Sequence, residues 1–266
     1  MDTPVATDKI IARKDGAIGW VIFNNPAKRN AMSLEMYEAT AVAMEGYARD
    51  PAIRVVILRG EGDKAFISGA DISQFKDRRS NPEQVQAAEM ISEGCNRAIR
   101  ECPKPVIAMI RGYCMGGGLG LAVGCDLRIA ADDCRFGIPA AKLGVGYRFT
   151  GIRRLSELVG PSFTAEIFYT GRQFNAQEAL AMGLVNRVLP VTELEKHVLD
   201  LAATLSANAP LTIAAVKRSL IEMRKDPDER DLALCQKMVD DCFASQDYKE
   251  GQAAFMEKRK PVFRGK

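Results

Sequence analysis

Two mainly apolar runs, PVIAMI at 105–110 and LRIAA at 127–131, enclose the segment GYCMGGGLGLAVGCD at 112–126. Runs of this kind suit strands covered on both faces, since a strand with one wet face alternates apolar and polar residues. Between them, three consecutive glycines, Gly116 to Gly118, lead into an apolar stretch long enough for a short buried helix. The same alternation appears upstream. Residues 17–24 (AIGWVIFN) and 55–60 (VVILRG) read as strands bounded by turn formers, and 33–50 reads as a helix with Ser33 as N-cap and Glu35 in its first turn. Residues 81–101 have a helical period that stops at Pro103 and Pro105. Strand, helix, strand, helix, strand marks an α/β domain.

Past residue 151 helical periods dominate, at 151–158, 162–169, 175–182 and 192–207. Asn175 followed by Glu178 forms a capping-box start. The charged stretch 223–231 (MRKDPDERD) reads as a solvated connection between helices. The expected division is an α/β core over 1–190 and a helical region over 191–266.

Composition narrows the class of function. A net charge of +3 over 266 residues gives no support for a nucleic-acid partner, and the densest basic run, Lys258-Arg259-Lys260, reads as a solvated helix end. Seven cysteines without a C-x-x-C pair suit reduced thiols in a cytoplasmic setting. The single histidine, His197, lies far from most of them in sequence, so no metal site is expected. The N-terminal stretch has no signal or transit character, and no apolar run reaches membrane-spanning length. A soluble cytoplasmic protein without membrane contact is expected.

Three readings of the glycine segment are open. A dinucleotide fingerprint needs an acidic residue about 20 positions on, and there is no Asp or Glu from Cys134 to Ser156. Close helix packing suits Gly124, and Gly120 as well. Anion binding suits glycines whose backbone N–H groups open a helix N-terminus. A second segment, KAFISGADIS at 64–73, also breaks an apolar run with glycine before an expected helix start, so two N–H donors could serve one oxygen.

With that pair of segments the chain resembles the crotonase superfamily, the enoyl-CoA hydratase/isomerase family. The likeness includes NNPAKRNAM (24–32), FISGADI (66–72), KPVIAMIRGYCMGGGLGLAVGCDLRIAAD (104–132) and FGIPAAKLG (136–144). It continues through TGRQFNAQEALAMGLVNRVLP (170–190) to EGQAAFMEKRKPVF (250–263). The resemblance implies an α/β crotonase (ClpP/crotonase-like) fold, a spiral of β-β-α units with a helical C-terminal trimerisation region, assembled as a homotrimer or a dimer of trimers. It implies an acyl-CoA thioester as substrate, with coenzyme A entering as part of it and no separate cofactor. The oxyanion donors would be the backbone N–H groups of Ala70 and Gly117. Lys28, Arg29, Ala31, Ser68, Asp71 and Ile72 match positions around the coenzyme A moiety. Phe255 and Lys258 match terminal-helix positions that reach the coenzyme A of a neighbouring subunit. Gly116, Gly120, Ala140 and Arg148 match the surroundings of the acyl group.

The family's hydratases carry glutamates where this chain has Gly120 and Ala140. Hydration needs a positioned base for water and an acid for the α-carbon, and neither residue supplies one. The stretch LGVGYRFTGI (143–152) resembles the methylmalonyl-CoA decarboxylase branch, which has a tyrosine at the position of Tyr147 and the same Gly-Ile after it. That branch has a histidine where this chain has Ala70, which leaves carboxylate recognition to Arg148 or Lys142. The expectation is a decarboxylase-like lyase with Tyr147 in the pocket. The alternatives are an enoyl-CoA hydratase or isomerase with other catalytic residues, and a non-catalytic thioester-binding protein. Against these roles stand plainer ones: Tyr147 bonded to a carbonyl, Arg153 and Arg154 as surface or subunit contacts, Asp126 as structural, Cys114 and Cys125 as inert thiols.

Overall fold

The computed structural model describes residues 5–71 and 82–266. Ile72 and the helix start expected just beyond it lie outside those residues. Strands β1 (Ile10–Asp15) and β2 (Ile18–Phe23) form a hairpin turned at Gly16, whose φ of 54° favours glycine. The polar second half of β1 hid it from periodicity. Helix α1 (Leu34–Arg49) starts where expected, with the Ser33 side chain accepting from the Met36 N–H. It buries Met36, Thr40, Ala43, Met44 and Tyr47, a stripe at helical spacing. The Tyr47 hydroxyl donates to the Trp20 carbonyl at 2.9 Å, which pins the helix onto β2.

From β3 (Val55–Gly60) onward the chain repeats a unit of long strand, short strand and helix. The first unit continues with β4 (Ala65–Ile67) and α2 (Pro82–Glu101). The second is β5 (Val106–Ile110), β6 (Tyr113–Met115) and α3 (Gly117–Gly124). The third is β7 (Leu127–Ala131), β8 (Arg135–Gly137), α4 (Ala140–Leu143) and α5 (Phe149–Thr170). Long strands join one sheet in the order β1-β2-β3-β5-β7-β10, closed by β10 (Arg187–Leu189), and short strands join a second in the order β4-β6-β8-β9, closed by β9 (Phe174–Asn175). Apart from β1–β2 and β8–β9, all pairings are parallel. Each unit therefore steps one strand along both sheets, the expected spiral. The three-residue strands were too short for any period to announce them.

The run over β7 contains a charge that its apolar neighbours conceal. Arg128 is buried, and its guanidinium donates to the carbonyls of Cys125 at 2.6 Å and Leu184 at 2.8 Å. A cation here satisfies carbonyls at the C-terminal end of α3, where the helix dipole favours positive charge. Asp126 is structural, as expected: its carboxylate accepts from the Val106 N–H and from the Lys217 ammonium, both at 2.7 Å.

Helix α6 (Ala176–Ala181) carries the expected capping box between Asn175 and Glu178. Beyond β10 run α7 (Val191–Ala207), α8 (Pro210–Met223), α9 (Leu232–Ala244) and α10 (Gln246–Met256). The helices expected at 151–158 and 162–169 are both present as the two halves of α5, separated at Gly160 (φ 79°, ψ 164°) ahead of Pro161, whose ring cannot continue the ladder. No single helix among the described residues is long and apolar enough to cross a membrane.

Candidate active site

The short parallel strands β4, β6 and β8 end side by side, and each ends in a loop named by the sequence: Ser68-Gly69-Ala70, Gly116-Gly117 and Ile138-Pro139-Ala140. Neighbouring strands lie about 4.8 Å apart, so N–H groups just past β4 and β6 can reach one oxygen. All these residues line one cavity of about 360 Å³, closed on other sides by α2, α3 and the start of α5. Among the described residues, neither the Ala70 nor the Gly117 N–H has a hydrogen-bond acceptor. The Gly116 N–H is instead spent on the Gly137 carbonyl at 2.8 Å, so Gly116 shapes the turn (φ 53°) and donates nothing to the cavity.

Three of the glycines have different reasons. A Cβ at Gly118 would lie 2.5 Å from the Ile67 Cβ, and one at Gly117 would lie 2.8 Å from the Tyr37 hydroxyl. At Gly120 it would meet nothing within 4 Å. Close packing therefore does not account for Gly120, contrary to the sequence expectation; Gly120 borders open cavity. Ala140 is buried in the opposite wall.

Tyr147 lines the cavity with its ring edge-on to Phe168, centroids 4.8 Å apart. Its hydroxyl has no hydrogen-bond partner among the described residues, so the plainer alternative, a hydroxyl bonded to a carbonyl, is not what those residues show. Burial pushes its ionisation above the ordinary tyrosine value, so it stays a neutral donor. Arg148 lines the mouth and pairs with Glu89. Lys142 is exposed and does not line the cavity. Arg153 pairs on the surface with Glu157 at 3.0 Å, whereas Arg154 turns into the cavity wall and holds Glu93 at 2.7 Å. Cys114 and Cys125 are buried, with desolvation raising both thiols, Cys125 to about 12; neither is a nucleophile.

Glu89, Ser92, Glu93 and Asn96 of α2 also face this space, within the 73–100 stretch expected from the sequence to line the acyl pocket, although none of the four was singled out. Their spacing of three, four and seven is one helical face. Read beside the lost acids, that polar stripe was the available signal.

At the rim, the loop before α1 clasps the end of β4. The Asp71 N–H donates to the Met32 carbonyl at 2.9 Å, the Ser68 N–H to Arg29 at 3.1 Å, and the Ala31 N–H to Lys28 at 3.1 Å. Lys28 forms an ion pair with Asp71 at 2.9 Å, and the Arg29 guanidinium sits 5.3 Å from the Tyr113 ring centre. Asn30, fully buried at φ 56°, locks the loop by donating to the Ala65 and Glu61 carbonyls and accepting from the Asn25 N–H. The structure thus gathers Lys28, Arg29, Ala31, Ser68 and Asp71 in one place. Phe255 and Lys258 lie elsewhere, exposed at the end of α10 and outside the cavity.

A two-sheet spiral whose parallel short strands end beside one cavity defines a protein of crotonase fold. The family description "Enoyl-CoA hydratase/isomerase" matches residues 13–266. Similar proteins include a crotonyl-CoA hydratase of Syntrophomonas wolfei, 35% identical over 97% of this chain and 99% of that one. Another is a short-chain-enoyl-CoA hydratase of Clostridium acetobutylicum, 32% identical over 95% and 96%. A crystal structure of an enoyl-CoA hydratase/carnithine racemase from Magnetospirillum magneticum superposes with a TM-score of 0.92 at 38% identity, covering 98% of this chain and 97% of that one. The chain belongs to the enoyl-CoA hydratase/isomerase family.

Proposed function

We propose that the protein is an enzyme that binds an acyl-CoA thioester and works through its enolate, with the Ala70 and Gly117 N–H groups gripping the thioester oxygen. The carrying observation is a pair of N–H groups, without acceptors among the described residues, at adjacent strand ends in one cavity. Donors aimed at developing charge are worth several kcal/mol in such sites, about 3 for a single donor. The preferred reaction is a decarboxylase-like lyase step. The bond from the α-carbon to a carboxylate breaks, carbon dioxide leaves, and the electron pair passes to the thioester oxygen held by the two donors. No base is needed to start that step, which suits a site with Gly120 and Ala140 in place of the two acids. The Tyr147 hydroxyl would orient the departing carboxylate, with Arg148 supplying charge. Lys28, Arg29, Ala31, Ser68 and Asp71 would hold the coenzyme A moiety. No cofactor enters apart from the substrate.

A second reading, hydration of a short enoyl-CoA, is favoured by the names of the relatives. Mass spectrometry on a panel of enoyl-, malonyl- and methylmalonyl-CoA separates the two. Loss of carbon dioxide from a carboxyl-bearing ester without hydration of crotonyl-CoA is expected. Crotonyl-CoA hydration at an ordinary hydratase rate would overturn the preference, and binding without turnover would make the protein a thioester-binding subunit.

The same reading divides the chain at about residue 190 and makes 191–266 the assembly region of a homotrimer or a dimer of trimers. Large apolar side chains stand exposed there, including Phe243, Phe255 and Met256; exposed apolar patches of this kind mark contact surfaces. Sedimentation equilibrium is expected to give a multiple of three chains, and a monomer at micromolar concentration would reject the assembly.

A further inference from the structure

Decarboxylation leaves an enolate that must gain a proton at its α-carbon, and the reverse exchange must remove one. Few groups in the cavity can do both. Arginines stay protonated, and Tyr147, kept neutral by burial, can donate but cannot act as a base near pH 7. Among the described residues, the carboxylates that line the cavity are Glu89 and Glu93. Glu93 is held in place: Arg154 bonds it at 2.7 Å from a side chain only 18% exposed, with Arg100 at 3.7 Å. Among the described residues, the Glu89 carboxylate is held by Arg148, whose side chain is 67% exposed at the cavity mouth. Arg148 is also the extended N-cap residue of α5 and contributes no side-chain capping bond, so it can turn without breaking the helix start.

We propose that Glu89 is the acid–base residue of this site, released by Arg148 when that guanidinium turns to the carboxylate of the substrate. The inference rests on the enolate reading above. A bound carboxylate draws Arg148 away, and the freed Glu89 carries a proton from solvent to the α-carbon. The bond from the α-carbon to the carboxylate then breaks and carbon dioxide leaves with the enolate held by Ala70 and Gly117. The Glu89 O–H bond breaks as the new α-C–H bond forms, and the restored carboxylate pairs again with Arg148. One proton is consumed for each carbon dioxide released, and no redox partner is involved.

The test uses hydrogen exchange, which needs the oxyanion donors and a base but no loss of carbon dioxide. The full-length protein is incubated with butyryl-CoA in deuterated water, and deuterium at the α-carbon is followed by mass spectrometry. Wild type is expected to exchange. Glu89→Gln should lower the rate at least 100-fold, the usual scale of acid–base catalysis, with butyryl-CoA affinity by calorimetry changed less than about 3-fold. Glu89→Asp should recover part of the rate, which a merely structural role would not predict. Arg148→Gln should raise exchange several-fold, because the carboxylate is freed, while lowering turnover of a carboxyl-bearing ester. Exchange at the wild-type rate in Glu89→Gln overturns the assignment and leaves the enolate reading standing. A wild-type protein that binds the ester and exchanges nothing overturns both.

Discussion

At the residue scale, glycines that look alike in sequence answer to different constraints. Gly118 packs its backbone against Ile67, and alanine there forces a 2.5 Å approach; overpacking of this kind costs about 1–3 kcal/mol. Gly120 faces open cavity, where alanine meets nothing and raises helix propensity by up to about 1 kcal/mol. Urea denaturation of Gly118→Ala and Gly120→Ala should therefore give opposite signs, and a large loss at Gly120 would refute the open-cavity description. Tyr147 gives a second residue-scale prediction. Tyr147→Phe removes a hydroxyl that has no hydrogen-bond partner among the described residues, so stability should change little. Turnover of a carboxyl-bearing acyl-CoA should fall about 10-fold, the worth of one hydrogen bond of about 1.4 kcal/mol. An unchanged rate would take Tyr147 out of the mechanism. The motif loop 24–32 was legible as a block, but the part played by Asn30 was not, because its three partners are Asn25, Glu61 and Ala65.

At the scale of elements, strands β2, β3, β5 and β7 and helix α1 were legible because burial imposed an apolar pattern on five or more residues. Strands β4, β6, β8 and β9 span two or three residues each and exist only because a neighbour supplies the other half of the ladder. The helices beyond β10 are tied to the sheet through a polar contact. Lys217, 7% exposed on α8, donates to Asp126 at 2.7 Å and to the Lys104 carbonyl at 2.9 Å. Asp126→Ala leaves that ammonium buried without its counter-ion and should cost about 3 kcal/mol, measured by the shift in denaturation midpoint at unchanged slope. A change within 0.5 kcal/mol, about the scale of a neutral surface substitution, would show that α8 docks by apolar contact alone.

At the scale of the whole molecule, the C-terminal tail folds back on α10. The Glu250 carboxylate accepts from both terminal nitrogens of Arg259, at 2.6 and 2.9 Å, and from the Val262 N–H at 2.8 Å. The Arg259 bonds, then the Val262 N–H, hold its ionisation at about 2, down from 4.5. A carboxyl depressed on folding stabilises the fold above its unfolded value and loses that contribution as pH falls through the folded one. The tail should accordingly be fastened above about pH 4.5 and loosen between there and about pH 2. Amide hydrogen-exchange protection at Val262 should drop across that window, and constant protection down to pH 3 would remove Glu250 as the clasp.

The sequence by itself determined the chain's family, the α/β core, the helical end and the two glycine-bearing loops that meet at the cavity. These features are carried by contiguous motifs and by periods that burial imposes over many residues. It also showed what was missing, since Gly120 and Ala140 stand inside recognisable motifs. Only the tertiary structure decided what stands near the gap. Glu89 and Glu93 belong to α2, outside the glycine segment 112–126, and Arg148 and Arg154 to the start of α5. Helix packing around one cavity sets those charges beside the donors, and no local period or motif encodes which distant faces will meet.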